Sequence, residues 1–257
     1  MSGFLFEQII FGPVRSRRLG ISLGVNLLPS NKKHCSFNCI YCECGWSSPP
    51  EECTLFPTVD EIANALEYKL SDMRSKNSML DSITYAGNGE PTLHPDFGRI
   101  TDKIVELRNT FYGDAQISLL SNASRAAKPA IKQALLKIDQ PILKLDAGTD
   151  EMFQHLNQPF EHLSLSEIVD SLKDFKGTAI IQTLFVKGEY KGKYIDNTAN
   201  EEVEAWLGHL AKIMPRSVMI YPIARETPAF GLKVVSHDKL VEIAGRVKQL
   251  GIPVEVY

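Results

Sequence analysis

Five cysteines stand in this chain, and four of them fall between residues 35 and 44. Cys35, Cys39 and Cys42 sit at offsets of four and three in the run His34-Cys-Ser-Phe-Asn-Cys-Ile-Tyr-Cys-Glu-Cys44. Thiolates select soft metals, and four of them close a structural zinc or iron–sulfur site. Three on one short loop leave a coordination position for something else. The spacing is therefore read as a [4Fe–4S] cluster in which three irons take Cys35, Cys39 and Cys42 and the fourth stays open. A zinc knuckle completed by His34, Cys44 or Cys53 is the competing reading of the same residues. Cys44 is only two positions beyond Cys42, an awkward reach for two ligands of one cluster, and reads as a bystander. The two-residue gaps and the cysteine before proline of two-cluster ferredoxins are absent.

Other residues could act around such a centre. Gly87-Asn88-Gly89-Glu90-Pro91 follows an apolar run, where glycines let backbone approach a ligand closely. Arg15, Arg17 and Arg18 form a compact positive cluster suited to a carboxylate or phosphate. Solvated turns or internal ion pairs are the plainer reading of those arginines. Asn122 and Asp146 each end a strand-like segment, and Gln182 interrupts an apolar one. Asn122 equally suits a helix cap. Gln182 faces either the interior of a barrel or a helix.

Cys35-x3-Cys39-x2-Cys42, with Tyr41 before the last cysteine, resembles the signature of the radical S-adenosylmethionine superfamily. Residues 11 to 28 resemble the leader of the branch that includes the tRNA wyosine-base synthases. Residues 86 to 91 resemble the superfamily's methionine-binding motif, and residues 145 to 149 a further motif of the branch. The similarity runs from about Phe11 to Val256. It implies a partial (β/α)6 barrel, a [4Fe–4S] cluster and S-adenosylmethionine as cofactors, and a flavodoxin or ferredoxin as electron donor. It further implies that Gly87, Asn88, Gly89 and Glu90 bind cofactor, with Tyr41 beside the cluster; Asn122, Asp146 and Gln182 are added as cofactor-binding candidates by their places at strand rims and in the barrel interior. Asp146, Arg225 and Arg17 are then the candidates for the reacting side. The implied reaction is reductive cleavage of S-adenosylmethionine to a 5′-deoxyadenosyl radical, which takes hydrogen from a small molecule, a nucleotide or a tRNA base. No cysteine precedes Cys35, so the second cluster of the wyosine-base synthases has no ligands here. A glycyl-radical activating enzyme and a non-catalytic iron–sulfur or zinc protein remain rival readings.

The elements that must carry these residues follow from periodicity. Strands are predicted at 21–28, 82–86, 116–120, 142–145, 178–185 and 218–221, and helices at 60–71, 95–107, 130–137, 164–175, 200–214 and 236–250. Gly12-Pro13 should stop the first apolar stretch, residues 151–160 and 187–197 should be loops, and 253–257 an extra strand. Six βα units give an α/β barrel with chemistry at the C-terminal ends of its strands. Residues 1–257 read as one core domain, with 29–58 as the cluster-binding loop.

Apolar residues are 44% of the chain and the formal charge is −3. That charge argues against broad nonspecific nucleic-acid binding but leaves room for a local basic patch. No stretch approaches the roughly 20 apolar residues of a membrane span, and the N-terminus lacks a signal peptide's basic start. Clustered cysteines are no secreted disulfide framework. A monomer in a reducing cytoplasm is the expectation.

Overall fold

A computed structural model describes residues 4–47 and 55–257. Cys53 and the end of the cluster loop, residues 48–54, lie outside them. The described chain builds one sheet around which the helices pack. Its parallel strands are β2 (Gly20–Val25), β3 (Ser82–Tyr85), β4 (Gln116–Ser121), β5 (Gln140–Lys144), β6 (Ile180–Tyr190), β8 (Ser217–Pro222) and β10 (Val254–Val256). They run side by side in that order. The antiparallel β1 (Ile10–Ser16) closes the β2 edge. Helices α1 (Val59–Ser75), α2 (Phe97–Phe111), α3 (Pro129–Leu135), α4 (Asp150–Leu156), α5 (Leu165–Lys173), α6 (Asn200–Ile213) and α7 (His237–Gln249) fill the connections. The six expected βα units are present, and the extra C-terminal strand forms as β10. Among the described residues no helix is long and apolar enough to cross a membrane.

Side-chain alternation divides each strand between helices and lumen. Leu23, Val25, Ile83, Tyr85, Ile117 and Leu119 are fully buried beneath the helices. The opposite face of β2–β4 is not apolar. There Ser22 Oγ meets Thr84 Oγ1 at 2.7 Å, and Ser82 Oγ bonds Thr84 Oγ1 at 3.0 Å and Ser118 Oγ at 2.9 Å. These hydroxyls satisfy one another inside the barrel. Ile142, Ile180 and Met219 form a separate small apolar cluster with Leu19 against it.

Helix starts follow local chemistry. Thr58 and Glu61 make a reciprocal capping box before α1, and Ser164 and Glu167 repeat it before α5. Ile62, Leu66, Leu70 and Met73 give α1 its buried stripe.

Three local expectations are corrected. Gly12-Pro13 does not end the first strand; β1 passes through it with a register shift between Phe11 and Val14. An edge strand loses no ladder bond to a proline at such a bulge. Residues 151–160 are not all loop: α4 occupies Asp150–Leu156, started by Thr149 and held by buried Phe153 and Leu156. Residues 187–197 are a hairpin. β6 continues to Tyr190 and pairs antiparallel with β7 (Lys193–Asp196). Its turn residues, Lys191 (φ 51°) and Gly192 (φ 74°), both take the left-handed conformation of a tight hairpin turn. A short strand, β9 (Leu232–Val234), pairs with β6 and was not expected.

Candidate active site at the open end of the barrel

The cysteine loop is pinned at two sides. On one, His34 N donates to Asn88 O at 2.7 Å and Glu90 N donates to His34 O at 3.0 Å. This short parallel bridge sets Cys35 beside the turn after β3. Glycine is required there: Gly89 has φ 140°, and a Cβ on it would fall 1.8 Å from His34 O. On the other side, Asn38 N donates to Asn157 O at 3.1 Å and Ile40 N to Leu156 O at 3.0 Å, at the C-terminal end of α4.

Cys35, Cys39 and Cys42 all line one cavity of about 330 Å³. Lys33 lies among the thiols and donates to Gly45 O at 2.8 Å. Burial pushes the Cys35 thiol up, and pushes Cys39 up to about 11. Cys42 goes the other way. The Cys44 thiol and the Lys33 ammonium hold it below the usual thiol range, against its burial. Cys44 Sγ is also 3.5 Å from Gly87 O. Amide donors reach two of the sulfurs: Asn122 Nδ2 is 3.6 Å from Cys35 Sγ, and Asn157 Nδ2 is 3.5 Å from Cys39 Sγ. Among the described residues, no three His, Cys, Asp or Glu side chains converge on a point that one metal ion could occupy.

The cavity wall also carries Gly87, Gly89, Glu90, Asn122, Gln182, Arg17 and Arg225. Sequence reasoning named all seven. Glu90 is an internal fastener: its carboxylate accepts from Thr92 N, Thr92 Oγ1, Ser121 Oγ and Asn122 N at 2.6–3.1 Å. Arg225 is paired with Glu43 at 2.7 Å and is exposed. Asn88 is fully buried with its side chain turned to the N-terminal segment, where it bonds Phe6 N, Phe6 O and Pro29 O. Asp146 is a buried hub. It accepts from Leu184 N at 2.8 Å, Asn157 Nδ2 at 3.0 Å and the Tyr41 hydroxyl, and pairs with Lys144 at 3.1 Å. Gly148 and Thr149, of the motif at 145–149, are held by Glu202 on α6 rather than turned to the cavity.

Lys33, Lys144 and Tyr221 line the cavity without having been singled out. Lys144 shares a strand face with Asp146 two residues on, and that spacing was a usable signal. Tyr221 offered none, since it ends an apolar strand like many core tyrosines.

Solved structures share this architecture. A radical SAM methyltransferase from Sphaerobacter thermophilus superposes with a TM-score of 0.64 at 16% identity, over 92% of this chain and 65% of its own. Streptococcus suis SuiB bound to S-adenosylmethionine gives 0.61 at 14% identity, over 91% of this chain and 48% of its own. No family model matches the chain. The fold is that of the radical S-adenosylmethionine enzymes. A UPF0026 protein of Helicobacter pylori strain J99 is 31% identical over 238 residues, 91% of this chain and 72% of that protein. The chain belongs to the UPF0026 family. It is also 31% identical to a Brachyspira hyodysenteriae protein named GTPase Obg, over 90% of this chain and 32% of that one. A UPF0026 protein of H. pylori strain 26695 is 34% identical over 70% of this chain and 57% of its own length. The chain thus spans about a third and somewhat over half of these two relatives.

Proposed function

We propose that the chain is a radical enzyme whose Cys35, Cys39 and Cys42 hold a [4Fe–4S] cluster with one open iron. The observation that carries this is the sharing of one cavity by three thiols, the glycine strand end at Gly87–Gly89 and the inward side chains of β5, β6 and β8. The donor set suits the cluster. Three thiols lining one cavity can each take a separate iron of a cluster, whereas zinc needs its ligands within about 2.0–2.3 Å of one point. When bound, the cluster and S-adenosylmethionine would supply a 5′-deoxyadenosyl radical that takes hydrogen from substrate.

The chain's own residues orient and shield. Gly87 and Gly89 bring backbone to the cavity wall, because a Cβ on either would clash with Asn26 or with His34 O and prevent this close packing of the strand end. Glu90 fixes the β3 and β4 strand ends against each other through Ser121 and Asn122. Tyr41 and Asp146 tie the cysteine loop to β5. The protein supplies orientation and exclusion of water, and the cofactors the difficult bond cleavage. The substrate is a small molecule, nucleotide or tRNA base, and the reductant a flavodoxin or ferredoxin of the cytoplasm.

The test is anaerobic reconstitution followed by dithionite and S-adenosylmethionine. The expected result is about four irons per chain and 5′-deoxyadenosine. Both should be lost in Cys35→Ala, Cys39→Ala and Cys42→Ala, and the iron retained in Cys44→Ala. A loaded cluster without cleavage under strong reductant, or zinc in anaerobically purified protein, overturns the reading.

A further inference from the structure

Lys144, Gln182 and Tyr221 come from three neighbouring strands and meet in the lumen. Register makes Lys144 on β5 and Gln182 on β6 direct partners, and Leu184, the next inward residue of β6, the partner of Tyr221 on β8. Ile142, Ile180 and Met219 stand two residues earlier on the same faces and floor this layer. Arg18, from the turn between β1 and β2, reaches across the open seam of the barrel. Its guanidinium lies 4.6 Å from the Tyr221 ring centre and 5.7 Å from that of Tyr257.

The direction of the hydrogen bonds is forced. Lys144 can only donate, and its Nζ is 2.9 Å from Tyr221 Oη. The Tyr221 hydroxyl therefore gives its own proton to Gln182 Oε1, at 3.3 Å. Gln182 Nε2 is left over. Gln182 is 4% exposed, lines the cavity, and its Nε2 has no partner. A buried N–H without an acceptor is costly, so a ligand that supplies one is favoured. Lys144 spends its protons on Tyr221 and Asp146 and has one remaining. Among the described residues neither Arg17 nor Arg18 is in an ion pair, while Arg225 on the same wall is paired with Glu43. What faces the lumen here is a set of donors: guanidinium, ammonium and amide.

We propose that Arg18, Lys144 and Gln182 form a substrate subsite for an oxyanion, a carboxylate or a phosphate. This rests on the radical-enzyme reading and adds the substrate's chemical class to it. Acceptor-only groups match these unspent donors, and guanidinium binds them through paired N–H groups. The subsite lies on β5, β6 and β8, whereas the glycine turn follows β3, so an anionic substrate and the cofactor would occupy different walls. Nearness to Tyr221 gives the anion an aromatic neighbour on the side where Arg18 stacks.

The test uses the anaerobically reconstituted full chain. Inorganic phosphate and acetate are titrated separately by calorimetry, with S-adenosylmethionine saturating and no reductant. At least one should bind at a single saturable site. Arg18→Gln and Gln182→Glu should each weaken it by about tenfold or more, the scale of a lost charge-assisted contact. The anion that binds more tightly tells phosphate from carboxylate. Three outcomes overturn the subsite: neither anion saturates, both variants bind like wild type, or S-adenosylmethionine displaces the anion. Formation of 5′-deoxyadenosine, measured on the same wild-type sample, reports the radical-enzyme reading separately. Turnover without anion binding removes only the subsite. Anion binding lost in the variants, but no turnover, keeps the subsite and removes the radical chemistry.

Discussion

Asn157 places one side-chain nitrogen 3.0 Å from Asp146 Oδ2 and 3.5 Å from Cys39 Sγ. The same amide therefore joins the buried carboxylate just after β5 to a proposed cluster ligand. Its Oδ1 is buried without a partner, so the side chain is held by its donors alone. Hydrogen bonds to cluster sulfurs withdraw charge and favour the reduced cluster. Asn157→Leu should move the midpoint potential of the reconstituted cluster to more negative values, with iron per chain unchanged. A redox titration followed by electron paramagnetic resonance reads this. A potential equal to wild type would show that the contact carries no electrostatic weight.

Gly89 and Gly98 make a matched pair for backbone effects. A methyl group on Gly89 would meet His34 O at 1.8 Å, at a φ that side chains rarely adopt, while one on Gly98 in α2 meets nothing within 4 Å. Gly89→Ala should pull the cysteine loop from β3. Its expected signature is incomplete iron loading and a melting point lower by roughly 6–12 °C, taking about 3 kcal/mol of strain and 2–4 °C per kcal/mol. Gly98→Ala should instead stabilise by about 0.4–1 kcal/mol, because alanine restricts the unfolded chain and suits a helix. Equal behaviour of the two variants in differential scanning calorimetry and iron analysis would contradict this account of the bridge.

Glu90 makes stability depend on pH. Burial pushes its carboxyl above the ordinary range, against the bonds it accepts from Thr92, Asn122 and Ser121. An acid with a raised folded pKa binds its proton more tightly folded than unfolded. That contribution is complete below the unfolded value of about 4.3 and is lost as pH rises through the folded value. Wild-type stability relative to Glu90→Gln should therefore fall as pH climbs out of the ordinary carboxylate range. Urea denaturation at stepped pH measures the difference. A difference that stays flat or grows with pH is incompatible with a Glu90 carboxyl raised by burial.

Local chemistry made some of the site readable from sequence and hid the rest. Cys35, Cys39 and Cys42 declare themselves because thiol spacing on one loop needs no long-range information. Gly87 and Gly89 do so because the backbone after β3 admits no Cβ. Lys144 was passed over inside Ile142-Leu143-Lys144-Leu145, since one strand does not reveal which face is lumen. The buried hydroxyls of Ser22, Ser82, Thr84 and Ser118 become intelligible only when β2, β3 and β4 are paired. Arg18 and Tyr221 lie at opposite ends of the sequence and meet because the sheet curls until its edges approach. Helix α4 was missed because seven residues are too few for a helical period to assert itself.

Lys144 and Asp146 set the last expectation. Burial alone would depress the Lys144 amine, but the Asp146 carboxylate and the Tyr221 hydroxyl hold it above its ordinary value. A lysine raised in this way contributes stability below its unfolded pKa of about 10.4, lost as pH rises through the folded value. At neutral pH the lysine is therefore charged. Asp146→Leu leaves the ammonium buried without its counter-ion and strands the Leu184 N–H and the Asn157 amide, a loss of about 3–5 kcal/mol. Lys144→Met in the same background removes the stranded charge. The double variant should then recover part of that loss, giving a coupling of roughly 1–3 kcal/mol in a double-mutant cycle from urea denaturation. Simple additivity would mean that Asp146 acts through Tyr41, Leu184 and Asn157, with the lysine a spectator to folding and free to serve the lumen alone.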